Sequence, residues 1–404
     1  MKAVILAAGE GTRCRPLTLL RSKVMLPIAN KPILEHVIQA LIECGIKDIV
    51  MVVGYKKERI MDYFEDGKRW DVNIEYVVQP QQLGTAHAIK HAENKVEGQF
   101  LVLNGDNLIE ARAIKDLLSS ADGDISILAV VRENVADYGV LIVDEKKVIK
   151  IIEKPKTSVS RYVNTGVYLL NEEIFKGIEK TKASEDGEFG ITSTIAQMIE
   201  SRYKVSYVKT NALWLDVVYP WDLIDVNAMI LQGRSRKRIS EKARIEEKVV
   251  IAGEVEIGEN TVIYSNSCII GPTVIGDNCE IGPSAVIQSC SSIGNNVTIK
   301  PFSQIENSII MNGVEIGSHA SIINSIIGEN TVIRAHFSTE YGKNVKVEIG
   351  EGLRYFKDIG AIVGENCDLG TNILIKAGKI LGVNCRVDSG KIISSNIESN
   401  SIVM

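Results

Sequence analysis

Apolar positions upstream of about residue 240 alternate between short continuous runs and stripes with helical spacing. Continuous runs predict buried strands, and apolar residues three and four apart predict helices. The predicted strands are 2–7, 48–53, 74–78 and 100–103, and the predicted helices are 32–43, 58–64, 85–93 and 220–232. Gly45 and Gly233 follow helix ends, and Pro220 lies at an early position of the last helix, as is typical of these residues. The alternation predicts an α/β domain with a mostly parallel sheet covered by helices on both faces.

A different pattern begins near residue 245, where isoleucine recurs at every sixth position. The eleven positions are 245, 251, 257, 263, 269, 275, 281, 287, 293, 299 and 305. This period matches neither a helix nor a long strand, and short strands joined by tight turns explain it. We therefore predict a parallel β-helix of hexapeptide repeats. The pattern returns at Ile316 and Ile322 and again over 363–393, and a polar insertion at about 334–358 interrupts it.

The hexapeptide repeat resembles the left-handed β-helix of the hexapeptide acyltransferases and of several nucleotidyltransferases. Because such prisms often associate as trimers, the resemblance implies a homotrimer. With the upstream pattern, it divides the chain into a domain at 1–231, a basic linker at 232–244 and a β-helix domain at 245–404.

Composition narrows the class of protein. The 404 residues are 45% hydrophobic and 24% charged, which is ordinary for a globular chain. A formal net charge of −5 argues against general binding to nucleic acid or to a membrane surface. The apolar run at the start is too short for a secretion leader, and no stretch has the length of a membrane span. Seven cysteines without CxxC spacing are typical of free thiols in a reducing compartment, so we expect a cytoplasmic protein.

The segment 1–32 carries the clearest chemical signal. Its apolar strand is followed by a two-glycine turn, Gly9–Arg13, and then by Lys23. Glycine lets backbone N–H groups approach phosphate oxygens, since a Cβ would block the approach, and Arg13 and Lys23 add positive charge for a polyphosphate. The spacing is neither the dinucleotide fingerprint nor the P-loop. Together with Pro16, Pro27 and Pro32, it resembles the signature GxGTRxxPxTxxxxKxxxPxxxKP of the sugar-1-phosphate nucleotidyltransferases.

This resemblance covers nearly all of residues 1–231. It implies the nucleotidyltransferase fold, a Rossmann-like mixed, mostly parallel sheet, followed by a left-handed parallel β-helix. It also implies that Gln79 reads the base, since a glutamine amide can pair with an acceptor and a donor on a pyrimidine edge. The alternative is a plain loop-to-helix junction with Thr85 as its cap. The candidate nucleotide-binding residues are Leu6, Ala8, Gly9, Gly11, Thr12, Arg13, Gln79, Gly84 and Thr85.

Asp106 and Asp216 each follow an apolar run and match the two positions that the family uses for Mg²⁺. Magnesium takes oxygen ligands, usually one or two carboxylates plus substrate phosphates. The alternative for each is an aspartate that only forms a turn. The resemblance also implies sugar-phosphate contacts, for which strand-end and hairpin turns are the alternative. The candidate sugar-phosphate-binding residues are Lys23, Gly139, Glu153, Lys154 and Asn164.

The reaction that the resemblance implies is Mg²⁺-dependent nucleotidyl transfer. A sugar-1-phosphate attacks the α-phosphorus of UTP or dTTP, and pyrophosphate leaves. The expected catalytic residues are Arg13, Lys23, Asp106 and Asp216, acting by positioning and charge neutralisation. Three of the five histidines, at 36, 87 and 91, fall in predicted helices and need no catalytic role.

The two-domain arrangement most resembles the archaeal bifunctional enzymes of UDP-N-acetylglucosamine synthesis. In those enzymes the β-helix also acetylates glucosamine-1-phosphate from acetyl-CoA, with a histidine as base in a motif resembling HxSYxGDS. The matching segment here is 318–325, where His319 is displaced by one position and the tyrosine and glycine are missing. His319 and His336 are the candidate bases, and surface turn residues on a structural prism are the alternative.

Two further departures bear on sugar specificity. Residues 188–193 read EFGITS where relatives usually carry Glu-x-Glu-Leu-Thr-Asp, and Val217-Val218 stands where relatives usually have a glycine. Synthesis of UDP-N-acetylglucosamine is the leading hypothesis. The alternatives are a glucose-1-phosphate thymidylyl- or uridylyltransferase, a bifunctional enzyme that also uses acetyl-CoA, and a regulatory paralogue that only binds sugar nucleotides.

Overall fold

A computed structural model describes residues 1–155, 157, 159–234, 237–349 and 352–404. Residues 235 and 236 of the predicted linker and residues 350 and 351 of the predicted insertion lie outside the described residues. The chain forms two compact units. The first contains residues 1–10, 21–25 and 33–216, and the second contains 11–20, 26–32 and 217–404.

The first unit is built on a mixed sheet of nine strands. In chain order its strands, together with two short ones beside it, are β1 Lys2–Ala7, β2 Asp48–Val53, β3 Asn73–Val78, β4 Phe100–Asn104, β5 Asn107–Ile109, β6 Ile125–Val131, β7 Gly139–Asp144, β8 Lys147–Glu153, β9 Tyr162–Leu170, β10 Val205–Lys209 and β11 Trp214–Asp216. The sheet order is β3-β2-β1-β4-β9-β6-β10-β8-β7, with β5 and β11 forming a separate pair. Strands β1 to β4 pair in parallel, β10 pairs in parallel with β6, and the other pairs are antiparallel. The predicted mixed sheet is therefore confirmed, but four of the eight pairs along its order are antiparallel, so parallel pairs do not predominate as expected.

Seven helices are described. They are α1 Ile33–Glu43, α2 Lys57–Phe64, α3 Thr85–His91, α4 Ala111–Ser120, α5 Glu173–Lys180, α6 Ile191–Glu200 and α7 Asp222–Gln232. Single 3₁₀ turns lie at Thr12–Cys14, Lys23–Met25, Lys68–Trp70 and Glu93–Lys95. No helix among the described residues combines the length and apolarity that a membrane crossing requires.

Strand β1 shows why the sheet is covered on both faces. Ala3, Ile5 and Ala7 point into one apolar cluster, which contains residues of α1, α2 and α4. Val4 points into the opposite cluster, which contains residues of α3, α5 and α6. Side chains alternate along a strand, so a continuous apolar run is needed to fill both clusters.

The second unit contains a parallel β-helix of the left-handed, hexapeptide-repeat type. Its three parallel sheets have eight, nine and eight strands. The first sheet contains Arg238–Ile239, Val255–Ile257, Thr273–Ile275, Ser291–Ile293, Ile309–Ile310, Ile326–Ile327, Ile362–Val363 and Ile380–Leu381. The second contains Arg244–Ile245, Val262–Ile263, Glu280–Ile281, Thr298–Ile299, Glu315–Ile316, Val332–Ile333, Asp368–Leu369, Arg386–Val387 and Ile402–Val403. The third contains Val250–Ala252, Cys268–Ile270, Val286–Ile287, Gln304–Glu306, Ser321–Ile323, Ser338–Thr339, Leu374–Ile375 and Ile392–Ile393.

The period of six follows from this geometry. Ile269 pairs with Ile287 and Ile287 with Ile305, so each isoleucine stacks on its equivalent in the next coil. All three are fully buried in one continuous core. The regular spacing is interrupted after Ile305. Ile305 pairs with Ile322, whereas the spacing between Ile269 and Ile287 would pair it with the next residue, Ile323.

The second unit also holds two short hairpins and α7. Pro27–Ile28 pairs with Lys31–Pro32, and within the insertion Gly342–Ile349 pairs with Gly352–Ile359. Helix α7 packs against the β-helix through Asn227, whose Oδ1 accepts hydrogen bonds from the Ala29 N–H at 2.8 Å and the Ser292 hydroxyl at 2.7 Å.

Candidate active site

Lys23 lies between two aspartates at the end of the first unit's sheet. Its Nζ is 2.7 Å from Asp106 Oδ2 and 3.5 Å from Asp216 Oδ1. The lysine side chain is 11% exposed, and those of Asp106 and Asp216 are 29% and 19% exposed. Charges that are so weakly solvated interact strongly, and a cation between two carboxylates offsets their mutual repulsion.

The fold places these groups through one short strand pair. Asp106 follows β4, and Asp216 ends β11, which pairs antiparallel with β5 so that Asp216 lies opposite Asn107. Asn107 Nδ2 donates to Asp216 Oδ1 at 3.2 Å. The amide oxygen of Asn107 is buried and has no hydrogen-bond partner among the described residues.

This donor set fits a magnesium ion. Two partly exposed carboxylates and an unused amide oxygen are hard oxygen ligands of the kind that Mg²⁺ takes, and substrate phosphates usually complete its shell. Within the described ranges, no group of three or more His, Cys, Asp or Glu side chains is arranged to hold a metal.

The predicted phosphate turn lies after β1. Within the first unit, the Leu6 carbonyl accepts from the Gly105 N–H at 2.9 Å, and the Ala8 carbonyl accepts from Tyr55 at 3.0 Å. A Cβ built on Gly9 meets nothing within 4 Å, so open space lies above its backbone. Within the second unit, Gly11 has a left-handed φ of 65° and precedes the turn that contains Thr12 and Arg13, both of which are exposed.

The predicted base-recognition segment lies between β3 and α3. Gln79 is buried, and its Nε2 contacts the Gly84 carbonyl at 3.3 Å and His87 Nδ1 at 2.9 Å. Gly84 has a φ of +100°, and a Cβ there would stand 2.6 Å from the Phe189 carbonyl oxygen. Thr85 accepts a hydrogen bond from the Ile191 N–H at 2.9 Å. Thr85 therefore caps α6 rather than its own helix α3, whose N-cap residue is Gly84.

The divergent segment 188–193 lies directly against this region. Phe189 donates to the Leu83 carbonyl at 2.7 Å and accepts from the Ala86 N–H at 2.9 Å. The segment that departs from the family pattern thus lies beside the predicted base-recognition segment.

Three of the predicted sugar-side residues meet on adjacent strands. Gly139 pairs with Glu153 across β7 and β8. A Cβ built on Gly139 would lie 2.8 Å from Glu153 Oε2 and 3.8 Å from Asn164 Nδ2. Glycine at position 139 therefore leaves the space that these two polar groups flank. Lys154 follows on the exposed end of β8, and its N–H donates to the Tyr138 carbonyl at 3.1 Å.

Asn164 is held by local bonds in an irregular part of β9. Its Oδ1 accepts from the Gly166 N–H at 3.1 Å, and its Nδ2 donates to the Tyr168 hydroxyl at 2.7 Å. Burial raises the pKa of Tyr168, so this hydroxyl stays neutral and can act as the acceptor. The amide plane of Asn164 is thereby fixed before any ligand arrives.

The candidate bases of the β-helix form part of a ring stack. The ring centroid of His319 lies 5.1 Å from that of Phe302 and 5.0 Å from that of His336, and the ring planes are nearly parallel. All three residues occupy left-handed corners of successive coils. Among the described residues, neither imidazole has a carboxylate hydrogen-bond partner of the kind that orients a catalytic histidine.

Two residues of the site escaped the sequence analysis. Asn107 follows Asp106 directly, and its amide next to a predicted metal ligand was the available signal. His87 is three residues into a helix that begins after Gly84. Helical side chains lean toward the N-terminus, so a residue at that position can reach the preceding loop.

Comparison with known proteins identifies the family. A model of the nucleotidyl transferase family matches residues 2–233, and a model described as the GMPPB C-terminal domain matches residues 269–351. The chain therefore belongs to the nucleotidyl transferase family.

Its relatives include proteins that are described as bifunctional. The chain is 37% identical to the bifunctional protein GlmU of Methanococcus maripaludis, over 100% of this chain and 97% of the relative. It is 32% identical to a bifunctional sugar-1-phosphate nucleotidylyltransferase/acetyltransferase of Sulfurisphaera tokodaii, over 98% of each chain. A crystal structure from Bacillus anthracis, described as a glucose-1-phosphate thymidylyltransferase, superposes with a TM-score of 0.52 at 29% identity, covering 57% of this chain and 94% of that one. The protein is thus a sugar-1-phosphate nucleotidyltransferase.

Proposed function

We propose that the protein transfers a uridylyl group from UTP to N-acetylglucosamine-1-phosphate and releases pyrophosphate. The observation that carries the proposal is the convergence of Lys23 with Asp106 and Asp216 at 2.7 and 3.5 Å. The choice of substrates rests on the resemblance to the archaeal bifunctional enzymes. Glucose-1-phosphate with dTTP or UTP is the second candidate, favoured by the likeness to the Bacillus anthracis structure.

Asp106 and Asp216, with the unused oxygen of Asn107, are the residues that would hold Mg²⁺. When bound, the ion supplies positive charge to the triphosphate and to the leaving pyrophosphate. Lys23 is already desolvated at this place and can turn its ammonium from the carboxylates to a phosphate oxygen. The resemblance to the family adds Arg13, in the exposed turn after the glycines, as a second cation for the triphosphate.

We assign the sugar phosphate to a second group of residues, on β7 to β9. Glu153 and Asn164 offer an acceptor and a fixed amide to sugar hydroxyls, and the resemblance to the family gives Lys154 the sugar phosphate. The attacking phosphate oxygen is already an anion at neutral pH, so no general base is needed. Positioning and charge neutralisation then account for catalysis.

The test is pyrophosphate release across a grid of triphosphates and sugar-1-phosphates, with UTP, dTTP, CTP and ATP on one axis. We expect the highest kcat/KM for UTP with N-acetylglucosamine-1-phosphate. A maximum for dTTP with glucose-1-phosphate would replace the proposal by its alternative. No turnover with any pair, in protein that binds sugar nucleotides, would favour a regulatory role.

Several expectations stay predictions within this proposal. They are the domain limits at 231 and 245, the homotrimer, the cytoplasmic location and the lack of efficient acetyl transfer from acetyl-CoA by the β-helix.

A further inference from the structure

We propose that His87 is a positioning residue that fixes the amide of Gln79 with its oxygen toward the nucleotide, and so restricts the enzyme to bases with a ring N–H. The inference rests on the proposed base-reading role of Gln79. It adds a residue outside the predicted contacts and a chemical reason for uracil or thymine over cytosine.

The orientation of the Gln79 amide follows from its neighbours. A peptide carbonyl only accepts hydrogen bonds, so the amide atom that faces the Gly84 carbonyl at 3.3 Å must be the nitrogen, Nε2. The Gly84 carbonyl cannot turn away easily, because Phe189 hydrogen-bonds to Leu83 and Ala86 on either side of it. The φ of +100° at Gly84 further restricts the loop to glycine.

His87 completes this arrangement. Its Nδ1 is 2.9 Å from the same Nε2, which faces it as a donor. Nδ1 must therefore be the unprotonated nitrogen of a neutral imidazole, with the proton on Nε2 of the ring. His91 packs edge-to-face against this ring at 4.7 Å and holds it in place.

Both amide hydrogens of Gln79 are then used inside the protein. One faces Gly84 and the other faces His87, so no donor remains for a ligand. Among the residues that the structure describes, none donates a hydrogen bond to Gln79 Oε1. Gln79 therefore offers an acceptor alone, where the sequence had indicated an acceptor and a donor.

An acceptor alone discriminates between pyrimidines. Uracil and thymine carry N3–H, a donor that pairs with Oε1, whereas cytosine carries a lone pair at N3 that repels it. A free glutamine could rotate by half a turn and serve either base. Fixing the amide removes this freedom and converts an adaptable residue into a specific one.

The experiment compares kcat/KM for UTP and for CTP in full-length variants. His87→Leu removes the acceptor, and we expect the UTP/CTP ratio to fall about tenfold, as the loss of one orienting hydrogen bond implies. His87→Asn places an amide oxygen where Nδ1 stood, and it should restore the ratio to within about threefold of wild type. Lys90→Met is the matched control on the same helix, since the Lys90 ammonium pairs with Glu93 and Glu179, and it should leave the ratio unchanged.

An unchanged ratio in His87→Leu, or an Asn variant no closer to wild type than the Leu variant, would overturn the inference. Gln79→Ala separates it from the proposed function. If Gln79→Ala also leaves the ratio unchanged, the base-reading role itself is wrong. If it alone alters the ratio, only the positioning role of His87 fails.

A second measurement does not depend on turnover or on the stability of the Leu variant. In ¹⁵N-labelled wild-type protein, histidine side-chain spectra report the tautomer, and His87→Asn identifies the signals of His87 by their absence. We expect a proton on Nε2 and none on Nδ1. The opposite tautomer would contradict the proposed hydrogen bond directly.

Discussion

Polar side chains are used in opposite ways in the two units. In the β-helix they repeat from coil to coil, as when Asn260 donates to Asn278 and Asn384 donates to Asn400 at left-handed corners. In the α/β unit, unlike residues from distant parts of the chain converge in a weakly exposed place, at Lys23, Asp106 and Asp216. Repetition indicates a structural role that every coil shares, whereas a largely desolvated convergence of unlike charges indicates chemistry.

The histidines make the same contrast on a smaller scale. His319 and His336 occupy equivalent corners of adjacent coils and contact each other and Phe302. His87 lies outside the repeats and makes one directed polar contact, with Gln79. A histidine in a repeated position is explained by the repeat, and a histidine in a unique position needs its own reason.

The largest expected effect tests the repeated unit. Ile287→Ala removes a fully buried side chain that stacks on Ile269 and Ile305, and it should lower the free energy of unfolding of the β-helix by roughly 2–5 kcal/mol. Urea unfolding followed by circular dichroism measures it. Val286→Ala, at the adjacent outward position, is the control and should cost far less. Equal losses in the two variants would mean that the isoleucine column does not carry the stability.

The second prediction tests the unique site. Asp106→Asn removes one of the two carboxylates beside Lys23 and should reduce turnover on the order of 10²-fold or more, as for loss of a key electrostatic stabiliser. Pyrophosphate release at saturating Mg²⁺ measures it, with a melting curve to check the fold. Asp48→Asn, at the exposed start of β2, is the control. Near-normal turnover in both Asp106→Asn and Asp216→Asn would remove the metal assignment.

A smaller effect is expected on the sugar side. Gly139→Ala places a Cβ 2.8 Å from Glu153 Oε2, and the carboxylate must move away. We expect the KM for the sugar-1-phosphate to rise about tenfold, the loss of one hydrogen bond to a charged group, with the KM for the triphosphate unchanged. Gly233→Ala, where a Cβ meets nothing closer than 3.6 Å, is the matched control. If both KM values rise together, the residue supports the fold rather than the sugar.

The smallest effect is expected at the ring stack. His319→Ala should leave nucleotidyl transfer within about twofold of wild type, because an exposed surface side chain contributes little to stability. We also expect no detectable acetylation of glucosamine-1-phosphate by the wild-type protein with acetyl-CoA. Robust acetylation that His319→Ala abolishes would make the protein bifunctional, and acetylation lost only in His336→Ala would move the base by one coil.

Local pattern was sufficient for the elements themselves. The strands at 2–7 and 48–53 have the predicted limits, since apolar spacing and turn residues act within a few positions of each other. The last helix ends at Gln232 as predicted but begins at Asp222, two residues after the predicted start at Pro220. The helix predicted over 85–93 ends at His91, because the chain tightens into a 3₁₀ turn at Glu93–Lys95. Period six was likewise sufficient for the β-helix, because each coil contacts only its neighbours.

The amino-acid sequence alone thus determined the two kinds of fold, the family resemblance and the types of residue that the chemistry requires. Tertiary structure alone decided their roles relative to one another: Lys23 between two carboxylates, Asn107 opposite Asp216, and Gln79 held by His87. The physical reason is the distance along the chain over which the two kinds of interaction act. Element formation depends on neighbours in the chain, whereas a contact such as Lys23 to Asp106, 83 residues apart, depends on strand pairing that no local window contains.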